Sequence, residues 1–89
     1  MANTSTALKR WRQSIKNRDR NRARRSATRT AVRRVREAAA RGDAAQVEER
    51  LPHAYSALDR AAKTGAIHVG KADRQKRRLA LLARRSTGA

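Results

Sequence analysis

The sequence predicts an all-α fold, a three-helix bundle with a long, projecting basic first helix. The chain has 89 residues and only one Pro and four Gly, and the helix-favouring residues Ala, Arg, Lys and Leu dominate it. No alternation of β-branched residues predicts a strand. Gly42 and Gly65 divide the chain into three stretches with helical spacing. We therefore treat residues 1–89 as a single helical domain.

The first helix is predicted from about residue 6 to residue 41, with Thr4 or Ser5 as its cap and Gly42 as its stop. Arginines recur along it at steps of three or four and so share one side of a helix. We call this set the arginine ribbon: Arg18, Arg22, Arg25, Arg29, Arg33 and Arg36. A thin apolar stripe is expected roughly opposite, made of Ala27, Ala31, Val35 and Ala38.

The stretch KNRDRNRARR, residues 16–25, is cationic on every side of the helix. Lys16, Arg20 and Arg24 add positive charge away from the ribbon, and like charges four residues apart repel each other. The segment has no face left for a protein core. We expect it to project from the bundle into a site with phosphates on several sides. A solvated, partly disordered basic arm, or codon bias towards Arg, is the alternative interpretation.

A second apolar patch, Leu8, Trp11 and Ile15, lies far round the first helix from Val35. One straight helix cannot bury both against the same neighbour. Either the helix bends, or the patch meets RNA or the far end of the third helix. Stacking of Trp11 on a nucleotide is one possibility, and packing against its two apolar neighbours is the preferred one.

The second helix is predicted over residues 43–64, with Asp43 as its cap and Gln46 completing a capping box. Pro52 lies inside it, but the helical spacing of the apolar residues continues across the proline, which predicts one kinked helix. That apolar set is Val47, Leu51, Tyr55, Leu58 and Ala62.

The third helix is predicted from about residue 71 to residue 85, with Ala72, Leu79, Leu82 and Ala83 facing inward and Leu81 left over. Before it, residues 66–70 form a connector in which Ile67 and Val69 plug the end of the bundle. Residues 86–89 are expected to fray.

The net charge indicates the class of partner. Lys and Arg total 24 against 7 acidic residues, a formal charge of +17. Self-repulsion of this size works against compaction unless a polyanion neutralises it, and nucleic acid is the leading candidate. The apolar core is small, and without cysteine neither a disulfide nor a thiolate zinc site can reinforce it.

Other classes of protein lack their signatures. No signal-peptide or membrane-spanning run appears, which predicts a cytoplasmic protein with no membrane partner. The segment QKRRLALLARR, residues 75–85, has the alternative interpretation of a basic helix on a membrane surface. His53 and His68 stand apart from other candidate ligands, and no Gly-rich phosphate loop occurs. We therefore expect no enzyme, cofactor, metal or small-molecule substrate.

Three segments carry a family resemblance. MANTSTALKRWRQSIKNRDRNRARRSATRTAVRRV, a GD turn and LDRAAKTGAIHVGKADRQKRRL together resemble the bacterial small-subunit ribosomal proteins numbered twenty. The resemblance covers nearly the whole chain and implies a three-helix bundle that binds small-subunit (16S) ribosomal RNA directly during early assembly. Other small-subunit components are possible partners. Val69 and Gly70 depart from the Lys-Asn pair that is common in the family.

The resemblance and the charge pattern together give the expected RNA contacts. They are Lys9, Arg10, Arg12, Lys16, Arg18, Arg22, Arg25, Arg29, Arg33, Arg36, Lys71, Arg74 and Arg78. The expected mechanism is electrostatic anchoring with release of counterions, and it involves no chemical step. A nucleoid-type DNA-condensing protein is the alternative function, because charge alone does not separate the two.

Overall fold

The computed structural model describes residues 3–86, and these form three helices without a strand. They are α1 (Asn3–Ala40), α2 (Ala44–Lys63) and α3 (Val69–Ser86). The predicted all-α class and the order of the helices are confirmed. Ser86 ends α3 with its hydroxyl donating to the carbonyl oxygen of Leu82 at 2.9 Å. The rest of the predicted frayed tail, residues 87–89, lies outside the described residues.

The start of α1 differs from the prediction. Thr4 and Ser5 are not caps but lie within the helix, which already includes Asn3. Ser and Thr favour helix caps because their hydroxyls can form hydrogen bonds with nearby backbone groups in place of the helical ones. This preference is weak where the helix continues on both sides of the residue.

Both interhelical turns are built around a glycine with positive φ, +71° at Gly42 and +79° at Gly65. At the first turn the amides of Gly42 and Asp43 donate to the carbonyls of Ala39 and Ala38, at 3.0 Å each. At the second, Gly65 and Ala66 make the equivalent bonds to Ala62 and Ala61. This pattern is the Schellman motif, which satisfies the last carbonyls of a helix. The two predicted glycine stops are confirmed.

Replacement of Gly42 by alanine should destabilise the protein by about 1 kcal/mol, because an L-residue in the left-handed region is strained. A Cβ at Gly42 would meet nothing within 4 Å, so the cost lies in the backbone alone. Urea unfolding followed by circular dichroism measures it. Gly42→Asn is the matched variant and should lose less stability than Gly42→Ala, because asparagine tolerates the left-handed conformation better than alanine does. Equal losses for the two variants would contradict the backbone explanation.

The cap of α2 is confirmed, but the capping box is only half formed. The Asp43 carboxylate accepts a hydrogen bond from the Gln46 amide at 3.2 Å. The return bond is absent, because the Asp43 amide already donates to Ala38 and the Gln46 side chain instead accepts from Arg50 Nε at 3.1 Å. Pro52 lies within one continuous α2, so the prediction of a single helix across the proline is confirmed.

The start of α3 corrects the predicted connector. The helix begins at Val69, two residues early, because His68 caps it. His68 Nδ1 accepts from the Gly70 amide at 2.9 Å, and the His68 carbonyl accepts from the amides of Lys71 and Ala72. Val69 is exposed and does not plug the bundle, whereas the half-buried Ile67 does pack against the core.

The core is small and made mostly of short side chains. Leu58, Leu79, Val35 and Val47 are its largest fully buried residues. The remaining buried residues are Thr28, Val32, Ala38, Ala54, Ala61, Ala66 and Ala72. Alanines at these positions let helix axes approach closely, so few large residues suffice to hold the bundle.

The buried stripe of α1 begins at Thr28 and excludes Ala27, which is exposed, contrary to the prediction. Thr28 tolerates burial because its hydroxyl donates to the Arg24 carbonyl at 2.8 Å, which satisfies its hydrogen-bonding need. Of the rest of the predicted stripe, Val35 and Ala38 are fully buried and Ala31 packs against the core.

Helix α2 runs antiparallel to the C-terminal half of α1. The Thr28 hydroxyl lies 3.5 Å from the Ala57 carbonyl oxygen. Further along α1, Arg34 shares a cleft with Arg50, which comes earlier in α2. Since α1 has 38 residues and α2 only 20, the N-terminal half of α1 extends past the bundle. The molecule measures 67 × 20 × 14 Å, as expected for a projecting first helix.

Candidate nucleic-acid interface

All the predicted contact residues are exposed, so each cationic group faces solvent. On α1 they are Lys9, Arg10, Arg12, Lys16, Arg18, Arg22, Arg25, Arg29, Arg33 and Arg36, and on α3 they are Lys71, Arg74 and Arg78. The helices bring some of these residues together and leave others apart.

The C-terminal part of the arginine ribbon forms one wall of a cleft between α1 and α3, here called the ribbon cleft. Its cations are Arg25, Arg29, Arg33, Arg36 and Lys71. Thr28, Val32, Ile67 and Gln75 complete the lining. The ribbon therefore borders the core rather than lying opposite it, which corrects the prediction. Positive charge beside a partly apolar floor suits a phosphate backbone with its sugars.

A second group of cations lies along the projecting half of α1. Lys9, Arg12, Lys16 and Arg20 line a shallow groove on the side of the helix away from the ribbon, and Leu8 lies at the edge of this groove. Arg20 completes this set although it was not among the predicted contacts. Of the stretch predicted to be cationic on every side, residues 16–20 are exposed as expected, whereas Asn21 and Arg24 are half-buried. Arg18 and Arg22 of the ribbon are exposed on another side of the same helix.

Besides Arg18 and Arg22, three more predicted contacts line neither of these two surfaces. Arg74 and Arg78 follow Lys71 at three and seven residues, on one side of α3, but neither lines the ribbon cleft. Arg10 lies outside the groove of the projecting half.

Sequence reasoning missed a third basic surface, here called the rear cleft. It lies between α1 and α2 and is lined by Ala31, Arg34, Arg50 and His53. Arg50 is half-buried, and its bond to Gln46 fixes the direction of its guanidinium. No spacing within one helix reveals the whole group, because its members come from two helices. Helical periodicity of Arg50 and His53 in α2 was the available signal.

Arg33 and Lys76 each lie beside an acidic side chain. Arg33 Nε lies 3.7 Å from Glu37 Oε1, and both side chains are exposed. Such an ion pair contributes little to stability and leaves the guanidinium accessible. Lys76 donates to Asp59 at 2.9 Å and lies 5.9 Å from the centre of the Tyr55 ring. The hydrogen bond to Asp59 raises the pKa of Lys76. Lys76 thus joins α3 to α2 and is less free than its neighbours to bind an anion.

Within residues 3–86, no group of three or more His, Cys, Asp or Glu side chains is arranged to hold a metal ion. None of the three described helices is long and apolar enough to cross a membrane.

A small all-α bundle that carries an exposed cationic rod defines a class, the basic structural proteins that bind nucleic acid. Comparison with known proteins gives the particular family. The sequence profile of the family described as Ribosomal protein S20 matches residues 2–84. The chain belongs to this family.

Curated relatives agree with the family match. The chain is 50% identical over 80 residues to "Small ribosomal subunit protein bS20" of Bordetella avium (strain 197N), covering 90% of this chain and 92% of the relative. The protein of the same name from Geotalea uraniireducens (strain Rf4) is 49% identical over 82 residues, 92% of this chain and 94% of the relative. One from Rhizobium leguminosarum bv. trifolii (strain WSM2304) is 48% identical, covering 90% and 87%.

Family membership confirms the predicted resemblance and the general class of function. The protein is a structural, non-enzymatic protein of the small ribosomal subunit, as the family and its curated relatives are. Through the family, this also confirms the predicted location in the small subunit and hence in the cytoplasm.

Proposed function

We propose that the protein binds small-subunit (16S) ribosomal RNA directly and stabilises its folded arrangement during assembly. The observation that carries the proposal is the ribbon cleft, where four arginines of α1 and Lys71 of α3 converge on one exposed surface. Arginine offers a planar fork for phosphate oxygens, and several forks along one helix can follow a sugar-phosphate backbone.

Three basic surfaces point in different directions and support a bridging role. The ribbon cleft lies between α1 and α3, the rear cleft lies between α1 and α2, and the groove of the projecting half lies beyond both. A rod of this construction engages more than one RNA segment at once. Contacts of this kind hold the segments in a fixed relative position without any chemical step.

RNA recognition here depends on shape and charge. The major groove of A-form RNA is too narrow for side chains to read, so phosphates, ribose hydroxyls and unpaired bases define the site. Each neutralised phosphate releases counterions and makes binding salt-dependent. We assign these contacts to the thirteen predicted residues, which lie within a single RNA-binding domain of residues 1–89, and we add Arg34 and Arg50 of the rear cleft.

Neutralising the ribbon cleft should lower the salt dependence of binding. In a variant with Arg25, Arg29, Arg33 and Arg36 replaced by Gln, we expect the negative slope of log K against log[salt] to become shallower by about three. Each of the four lost phosphate contacts accounts for about 0.7–0.9 of this change. A filter-binding titration with small-subunit ribosomal RNA at several salt concentrations measures the slope. Glutamine retains good helix propensity, and circular dichroism checks the fold.

The matched control removes the same charge elsewhere. Replacing Arg41, Arg60, Lys63 and Arg77 by Gln also neutralises four exposed cations, none of which lines a described cleft. A much smaller change of slope is expected. Equal changes in the two variants, together with equal affinity for duplex DNA, would instead support the alternative of a DNA-condensing polycation.

A further inference from the structure

The exposed apolar patch on α1 is aligned with the arginine ribbon. Leu8, Trp11 and Ile15 follow one another at steps of three and four, and the next step of three reaches Arg18, the first arginine of the ribbon. Positions spaced in this way lie along one side of a helix. The patch is thus the N-terminal continuation of the ribbon.

The described part of the chain, residues 3–86, leaves this patch open. Trp11 is 61% exposed and Leu8 is 49% exposed, while Ile15 is half-buried. The end of α3 does not cover them, and the two apolar neighbours do not bury the indole. An exposed tryptophan in an exposed patch is typical of a binding surface.

A ligand bound along the arginine ribbon also reaches the apolar patch, because the two lie next to each other on one side of α1. With a rise of 1.5 Å per residue, Trp11 lies about 10 Å along the axis from Arg18 and about 21 Å from Arg25. A ligand that extends along the ribbon towards the N-terminus therefore passes over the indole.

Charge identifies the chemistry of that ligand. Lys9, Arg10, Arg12 and Lys16 lie on the other sides of the same helical segment, Arg18 continues the side of the patch itself, and Asp19 is the single acidic residue before Glu37. The surroundings repel basic partners and attract polyanions. Among polyanions, nucleic acid also presents a flat apolar surface, the face of a base, between its phosphates.

We infer that Trp11 stacks on an unpaired base of the RNA bound along the arginine ribbon, with Leu8 and Ile15 contacting the same nucleotide. The base is unpaired because a base inside a duplex has both faces covered by its neighbours. This inference rests on the proposed function and adds to it a stacking contact at one defined residue.

Trp11 is the only tryptophan, so its fluorescence reports this contact directly. Addition of small-subunit ribosomal RNA to the full chain should quench the emission strongly as the indole stacks on a base. Inorganic polyphosphate binds the same cations but has no bases, and it should leave the emission nearly unchanged. Equal quenching by both polyanions would overturn the inference.

Two variants separate stacking from general apolar burial. Trp11→Leu keeps an apolar helix-forming residue but removes the aromatic face, and it should weaken RNA binding by about 5- to 100-fold. Trp11→Phe should retain most of the affinity. Both variants should bind polyphosphate as the wild type does. If Trp11→Leu binds RNA like the wild type, the patch is not a stacking site.

The outcomes also separate this inference from the proposed function. Salt-dependent RNA binding without quenching would overturn the stacking contact and leave the electrostatic anchoring intact. Absence of preferential RNA binding by the wild type would overturn both. A blue-shifted emission in the free protein that depends on its concentration would show the patch covered by a second copy, and would also overturn the inference.

Discussion

Leu58→Ala should remove most of the protein's free energy of unfolding at room temperature. Leu58 is fully buried and is among the four largest fully buried side chains of the core. Truncation of such a leucine costs about 2–5 kcal/mol, the lost transfer free energy plus the cavity left behind. Small domains have total stabilities near the lower end of about 5–15 kcal/mol, so this single change removes most of the stability.

Urea unfolding followed by circular dichroism tests this expectation, with Leu81→Ala as the matched control. Leu81 lies on α3 and is 53% exposed, so the same chemical change should cost less than about 0.5 kcal/mol there. A loss below about 1 kcal/mol for Leu58→Ala would show that the helices are held together by something other than this core.

The sequence predicted the helices well where local signals mark their ends. Gly42 and Gly65 were recognisable because a helix that ends in the left-handed region selects glycine, and Asp43 is a strong cap. The start of α3 was predicted two residues late, because His68 is not a typical cap. Its ring nitrogen nevertheless fills that role through the Gly70 amide.

Side-chain identity alone did not locate the buried face of α1. The predicted stripe, the small apolar residues opposite the arginine ribbon, includes Ala27 and does not include Thr28. The structure reverses the two, because the Arg24 carbonyl satisfies the Thr28 hydroxyl and packing against α2 sets the rotation of the helix.

The basic surfaces were predictable only as far as they lie on one helix. Spacing within α1 was sufficient to define the arginine ribbon. It gave no information about Ile67 and Gln75, which line the other side of the ribbon cleft, or about Arg50, which completes the rear cleft. These contacts depend on how the helices pack, and sequence periodicity carries no signal for that.

The projecting half of α1 should become ordered by the polyanion it binds. Apart from the half-buried Ile15, residues 4–20 are exposed, so little apolar burial stabilises this part of the helix. Like charges at four-residue spacing, such as Lys16 with Arg20, each oppose the helix by a few tenths of a kcal/mol. The ion pairs Arg33–Glu37 and Lys76–Asp59 lie outside this segment.

Amide hydrogen exchange measures this ordering residue by residue. In the free protein we expect residues 4–20 to exchange nearly as fast as an unfolded peptide, because local opening there costs almost no free energy. Binding of small-subunit ribosomal RNA should slow them by at least about 100-fold, which corresponds to about 2.8 kcal/mol of added local stability. Amides around Val47 and Leu58 in the core of α2 serve as the internal reference and should be slow in both states.

Polyphosphate separates the two possible causes of ordering. If charge neutralisation is sufficient, polyphosphate should slow exchange in residues 4–20 about as much as RNA does, since it removes the same repulsion. If base contacts at Trp11 also contribute, RNA should protect residues 8–15 more than polyphosphate does. Slow exchange of residues 4–20 in the free protein, equal to that of the α2 core, would show that this half of α1 is stable without a partner. The repulsion between its cations would then be too weak to matter.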